Sequence, residues 1–283
     1  MPRQAEFTPQ ARKKACLESP EKNIGGRPSS ARHCSSSTAR SDMRRCRTRS
    51  APIVPVSPKV PTLSPHATSK IEGGYSVLLS RNGRDASHSI GELLFRIPLT
   101  SWGEARVGVN SYALEHHSGS RSSGFEDLNL AAKVRFLEGS DTPSLFTIPS
   151  ASVLVATTVP TGHKNFGAHH PQPELLLSLG WDLTQNLSLV INQDYTYGSE
   201  AGKHFHQWLT GASFSYSVTD RLGSYLEYFR EMPFGPGQVH TNYVNGGFAY
   251  LLTNNLQVDL SVGVAENREQ TGPVFGTGVA WRY

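Results

Sequence analysis

The sequence predicts an all-β chain: a single transmembrane antiparallel β-barrel of about twelve strands, preceded by a segment without regular structure. Three observations lead there. Runs with a period of two follow one another from residue 71 to residue 283, with no helical period between them. Their connections alternate between tight turns and longer polar segments. Each run also carries one apolar row that rarely admits a charge, with small, polar and charged residues opposite.

Charge divides the chain before any strand does. Residues 1–70 hold fourteen Lys and Arg against four Asp and Glu, whereas 71–283 hold thirteen against nineteen. The pI of 9.0 averages a basic tail with an acidic body, so it does not support nucleic-acid binding by the folded part. Residues 1–70 are rich in Ser, Pro and Arg and cannot bury enough apolar surface to offset their ordering entropy, which predicts a disordered tail. Cys16, Cys34 and Cys46 all lie there, in a spacing that matches no zinc pattern. No apolar stretch of about 7 to 15 residues follows Met1 or Met43, so no signal peptide is readable. The tail is read as a mistranslated upstream region in place of the export signal, the alternative being a targeting segment of another kind. No run of about 18 apolar residues exists, which leaves strands as the only way across a membrane.

The predicted barrel occupies 71–283. Its strands are expected over 71–80, 88–100, 104–115, 126–138, 147–161, 173–184, 187–198, 205–218, 222–232, 241–252, 256–266 and 273–283. Periodicity assigns their faces. Leu128, Leu130, Ala132, Val134 and Phe136 point to lipid, as do Leu175, Leu177, Leu179 and Trp181, and Trp208, Thr210, Ala212, Phe214 and Tyr216. Arg230 and Glu231 are the exceptions, placed at a strand end where a charge reaches the headgroups. The last strand sets Phe275, Thr277, Val279, Trp281 and Tyr283 outward and closes the barrel on the first.

Tight turns are read at Thr100-Ser101-Trp102-Gly103, Leu183-Thr184-Gln185-Asn186, Thr219-Asp220-Arg221 and Thr253-Asn254-Asn255. Long loops are read at 81–87, 116–125, 161–172, 198–204, 233–240 and 267–272, and one intended short turn, 138–146, runs long. Outer-membrane barrels have this asymmetry of rims.

Several stretches resemble a family. Glu126-Asp127-Leu128 through Arg135, Ala156-Thr157-Thr158-Val159-Pro160-Thr161-Gly162, Gly246-Gly247-Phe248-Ala249-Tyr250-Leu251-Leu252 and Leu256 through Gly263 are similar to the bacterial outer-membrane family of the MetA pathway of phenol degradation, also called simply "transporter". The resemblance covers 71–283 and departs at Asn245, where members often carry Asp. It implies residence in the bacterial outer membrane and a porin-like channel or transporter for passive passage of small compounds, aromatic ones among them. The alternative is a structural or loop-binding protein with a plugged lumen.

The expected lumen-lining charges are Glu92, Arg96, Arg106, Asp127, Lys133, Arg135, Glu174, Asp182, Asp194, Glu227, Asp259 and Arg282. They either set selectivity or pair with one another and plug the interior. The body's nine histidines fall in or beside the long loops, and His169, His170, His204 and His206 are weak candidates for metal in a chain expected to bind none. No nucleophile elbow, phosphate loop or dinucleotide fingerprint appears, so no catalytic residue and no cofactor is expected. The expected partners are the lipid bilayer, small solutes and the barrel-assembly machinery, which would recognise Tyr283. No nucleic acid is among them.

Overall fold

In a computed structural model the described residues are 68–80, 85–117, 119–168, 170–200, 203–235, 239–267 and 271–283. The expected disordered tail therefore lies almost wholly outside them. Fourteen strand segments follow in chain order: β1 (Lys70–Leu79), β2 (Ala86–Pro98), β3 (Gly103–Val109), β4 (Tyr112–His117), β5 (Ser120–Phe125), β6 (Leu128–Leu137) and β7 (Ser150–Val159). The rest are β8 (Gln172–Asp182), β9 (Leu187–Glu200), β10 (Lys203–Ser217), β11 (Leu222–Phe234), β12 (Thr241–Leu251), β13 (Leu256–Glu266) and β14 (Thr271–Arg282).

These segments make a wall of twelve strands. β3 and β4 are two lengths of one strand, and β5 and β6 two lengths of the next, because β2 pairs with both β3 and β4, β3 with β6, and β4 with β5. From β6 to β14 every segment pairs antiparallel with its sequence neighbours. β1 pairs with both β2 and β14, from Lys70↔Arg282 to Leu78↔Val274, and so closes the ring. Closure gives β1 and β14 a partner on both sides, whereas β5 pairs with β4 alone.

Burial follows the period of two. Along β10, Phe205, Gln207, Leu209, Gly211, Ser213 and Ser215 are buried, while Trp208, Thr210, Phe214 and Tyr216 between them are exposed. The exposed row is apolar on every long strand: Leu226 on β11 is 58% exposed, Phe248 on β12 59% and Leu260 on β13 66%. Soluble monomers rarely expose a continuous apolar patch larger than a few hundred Å². A band circling the whole wall is the surface of a protein solvated by lipid. Arg230 stands on this outer row and Glu231 is buried on the inner one, so only the first breaks the expected pattern.

Four short turns share one build. In 99–103, 183–187, 218–222 and 252–256 a threonine follows an apolar residue, and the backbone N–H groups of both donate to one carbonyl, that of Gly103, Leu187, Leu222 or Leu256. The threonine hydroxyl accepts the next free N–H groups: Thr184 from Asn186 and Leu187, Thr219 from Arg221 and Leu222, Thr253 from Asn255 and Leu256, and Thr100 from Trp102. Local hydroxyl-to-backbone bonding of this kind favours turns over continued strand.

On the other rim the expected long loop at 116–125 is instead a hairpin, β4–β5, in which β4 runs level with the first residues of β2 from Ala86↔His116 to Ile90↔Tyr112. Strand also takes most of 198–204, since β9 runs to residue 200 and β10 begins at 203. An irregular level lies below the first of these hairpins. Gly91, at φ 73°, is an extra residue in β2, where Gly74 pairs with Glu92 but Tyr75 with Ile90. At the same height β3 gives way to β4 at Asn110 and Ser111, and β5 to β6 at Glu126 and Asp127. There Ser111 is fully buried, its hydroxyl donates to the Glu126 carboxylate, and its carbonyl accepts the Glu126 N–H at 3.0 Å.

Candidate functional site

The inner face is the candidate site, and register fixes which side chains share it. On β1, β2 and β3 the inward residues form an ion-pair ladder. Lys70 Nζ lies 2.8 Å from Glu72, and Arg96 reaches Glu72 at 3.4 Å and Glu104 at 3.0 and 3.2 Å. Arg106 donates to Glu104 through Nε at 2.6 Å. Lys133 on β6 stands in register with Glu104. Glu72 and Glu104 are 3% and 5% exposed, so their charges depend on these partners.

The opposite wall, β8 to β13, has a different character. Its inward positions include Glu174, Asp194, Glu227, Glu231 and Asp259, and with the side chain of Lys203 outside the description they include no Lys or Arg among the described residues. Between the acids lie apolar and aromatic groups. Phe229 and Tyr243 stack in parallel with centroids 4.4 Å apart, and Phe205 and Leu209 are buried on β10. Two glycines make room: a Cβ at Gly211 would stand 2.9 Å from Phe229, and one at Gly198 2.5 Å from the Phe205 ring. Asn245 donates to Glu227 at 3.0 Å and to Tyr225 at 3.3 Å. An Asp at 245 would instead set two carboxylates side by side.

The third part is the segment between β7 and β8. Asp127 accepts the N–H of Gly162 at 2.8 Å and of Ala168 at 2.7 Å, one through each carboxylate oxygen. His163 and Phe166 lie so close to the inward-facing Gly124 that a Cβ there would stand 2.8 Å from each. Ser199 of β9 donates to the Ala168 carbonyl at 3.5 Å. The segment 161–168 is thus folded against the inner side of the wall, from the β4–β5 hairpin to β9.

Of the charges expected in the lumen, Arg96, Arg106 and Lys133 come together with the unforeseen Glu72 and Glu104. Glu92 accepts from Ser76 at 3.4 Å, and Arg135 lies 3.5 Å from Glu138. Asp182 and Arg282 are exposed at the short-turn rim. Asp127 serves backbone groups of the folded-in segment. Glu104 was within reach of sequence reasoning, since it shares the parity of Arg106. The Asp127 contacts had no such signal, for they join residues 35 and 41 apart.

Histidines concentrate on the outer face of the extended rim and pair with aromatics. Tyr75 meets His88 Nδ1 at 2.8 Å, Tyr195 meets His206 Nδ1 at 2.6 Å, and Tyr197 stacks on His204 at 5.3 Å. His170 lies 6.2 Å, ring to ring, from His204, and His169 is outside the described residues. These contacts fit an interfacial belt, where amphipathic rings favour the headgroup layer.

A family model described as "Putative MetA-pathway of phenol degradation" matches residues 65–283. Among solved structures, an outer membrane channel from Pseudomonas putida F1 is similar at 12% identity and TM-score 0.59, over 77% of this chain and 96% of that one. The NanC porin is similar at 10% identity and TM-score 0.53, over 75% and 98%. The translocator domain of the autotransporter NalP from Neisseria meningitidis is similar at 11% identity and TM-score 0.50, over 77% and 89%. At such identities the likeness shows the fold, that of an outer-membrane barrel. No curated protein sequence matches the chain.

Proposed function

Since the chain belongs to the MetA-pathway phenol-degradation family, we propose that it resides in the bacterial outer membrane as a channel for passive passage of small compounds, aromatic ones among them. The observation that supports this most is the polar, charge-bearing inner face beneath an apolar outer one, narrowed by the segment 161–168 that Asp127 holds inward. That segment is the constriction. The stacked Phe229 and Tyr243 offer an aromatic solute a surface on one wall, and the arginines of β2 and β3 offer its polar substituent a partner on the other.

A second reading, a filled lumen in a structural or binding protein, draws on the low exposure of the inner acids, 5% at Asp194 and 6% at Glu227. Refolded protein in a planar bilayer separates the two. The channel reading expects discrete conductance steps and swelling of liposomes in small-solute medium; silence in both assays selects the filled barrel.

A further inference from the structure

Register lays out the inner face of β9 to β12 as a grid. One line crosses the four strands at Asn192, Gly211, Phe229 and Tyr243. The next line toward the short turns runs Val190, Ser213, Glu227 and Asn245, and the next toward the long loops runs Asp194, Leu209, Glu231 and Thr241. The stacked Phe229 and Tyr243 therefore lie between two glutamates that are 6% and 5% exposed. Asn192 and Tyr243 are only half-buried, which leaves the middle line open to the lumen. Two oxygens of the grid are buried without a hydrogen-bond partner among the described residues: Oδ1 of Asn192, and Oγ of Ser213, a residue 3% exposed that stands in register with Glu227. Buried polar atoms are normally paired, so these oxygens mark a place for a donor. The strands β8 to β13 bring no Lys or Arg to this face among the described residues, with the side chain of Lys203 outside the description; Arg221 sits in a short turn and Arg230 on the outer row.

From this grid we infer that the inner face of β9 to β12 is a subsite for an aromatic ammonium, a small solute that carries a ring and a protonated amine. The inference rests on the channel reading and names the charge of its solute. The ring packs against Phe229 and Tyr243, and the N–H groups donate to Glu227 or Glu231 and to the oxygens of Asn192 and Ser213. An ammonium is also attracted to the face of an aromatic ring. A carboxylate in the same place would stand among glutamates with no base on its wall, and the loss of its hydration would go uncompensated. Its alternative partners, Arg96 and Arg106 on the other wall, already donate to Glu104, which weakens their hold on an anion. A neutral alcohol can satisfy the unmet oxygens but gains nothing from the charge of the glutamates.

The experiment is block of single-channel KCl current at neutral pH by benzylammonium, compared with benzenesulfonate, which has the same ring and the opposite charge, and with benzyl alcohol, which donates a hydrogen bond but carries no charge. We expect benzylammonium to reach half-block at a concentration about tenfold or more below that of either other compound. Glu227→Gln with Glu231→Gln should raise that concentration about tenfold, and Phe229→Leu about threefold, while the conductance steps of both variants show that the barrel is folded. Stronger block by benzenesulfonate would move the solute to the arginines of the other wall and overturn the inference. Equal block by benzyl alcohol would overturn the ammonium as the recognised group. Discrete steps that benzylammonium leaves untouched, or blocks equally in the wild type and the glutamine variant, would overturn the subsite and leave the channel standing. Absence of all conductance would remove the channel reading and this inference with it.

Discussion

The wall from β7 to β14 and the quadrant from β2 to β6 obey the same pairing rules with different regularity. In the first, hairpin follows hairpin, with register unbroken from β7↔β8 to β13↔β14. In the second, two strands are interrupted and a third carries an extra glycine at one height. The difference is functional in placement. The irregular level lies beneath the β4–β5 hairpin and holds Asp127, whose carboxylate accepts the Gly162 and Ala168 N–H groups and ties 161–168 in place. Regular strands supply an even lining, and irregular ones supply a feature within it.

The comparison can be broken hardest on the regular side. A Cβ at Gly247 would collide with the Leu260 carbonyl and lie 2.8 Å from Tyr225. Gly247→Val should cost about 3 kcal/mol or more and abolish the compact, heat-modifiable band of the folded barrel on gels. On the irregular side, Asp127→Ala leaves the Gly162 and Ala168 N–H groups without their acceptor, at a cost of about 1 to 3 kcal/mol confined to that segment. Trypsin cleavage after Lys164 should accelerate severalfold while the barrel stays folded; an unchanged rate would disconnect Asp127 from the segment.

A finer contrast sets two glycines of paired strands against each other. Gly91→Ala forces a side chain into a positive-φ position and should cost about 1 kcal/mol. Gly74→Ala meets its nearest neighbour at an ordinary 3.4 Å and should cost close to nothing in urea unfolding. At the seam, Tyr283 stacks on Trp281 at 5.2 Å and donates its N–H to the Ser69 carbonyl, so Tyr283→Ala should lower folded yield in the membrane more than Arg282→Ala does. The smallest effect belongs to the turns. Thr219→Ala removes one hydroxyl acceptor and should cost about 0.5 to 1 kcal/mol by the same unfolding measurement.

The regular wall was legible because lipid imposes a row on it. Where a strand faces hydrocarbon every second residue must be apolar, and so 256–266 could be bounded from sequence alone and matches β13. β5 was missed for the converse reason. Ser120-Arg121-Ser122-Ser123-Gly124 has no apolar row, and without one a strand looks like a loop. Gly91 carried a local signal, a lone glycine within a strand pattern. The lumen charges could be listed from parity, but which of them meet depends on register. A strand's own sequence does not encode its offset from its neighbour, so Arg96, Glu72 and Glu104 became a ladder only once β1, β2 and β3 were paired.

The shared threonine turn makes the barrel countable. Thr184, Thr219 and Thr253 recur after 35 and 34 residues, one turn for each pair of strands. Each interval contains one hairpin that begins and ends at the same rim with the same bonding. Circumference is therefore modular in this region: excising or duplicating one interval would join like ends to like, preserving inward and outward parity. Only the final pairing across β1 would have to find a new diameter. Loss or gain of one such unit would give a barrel of ten or fourteen strands.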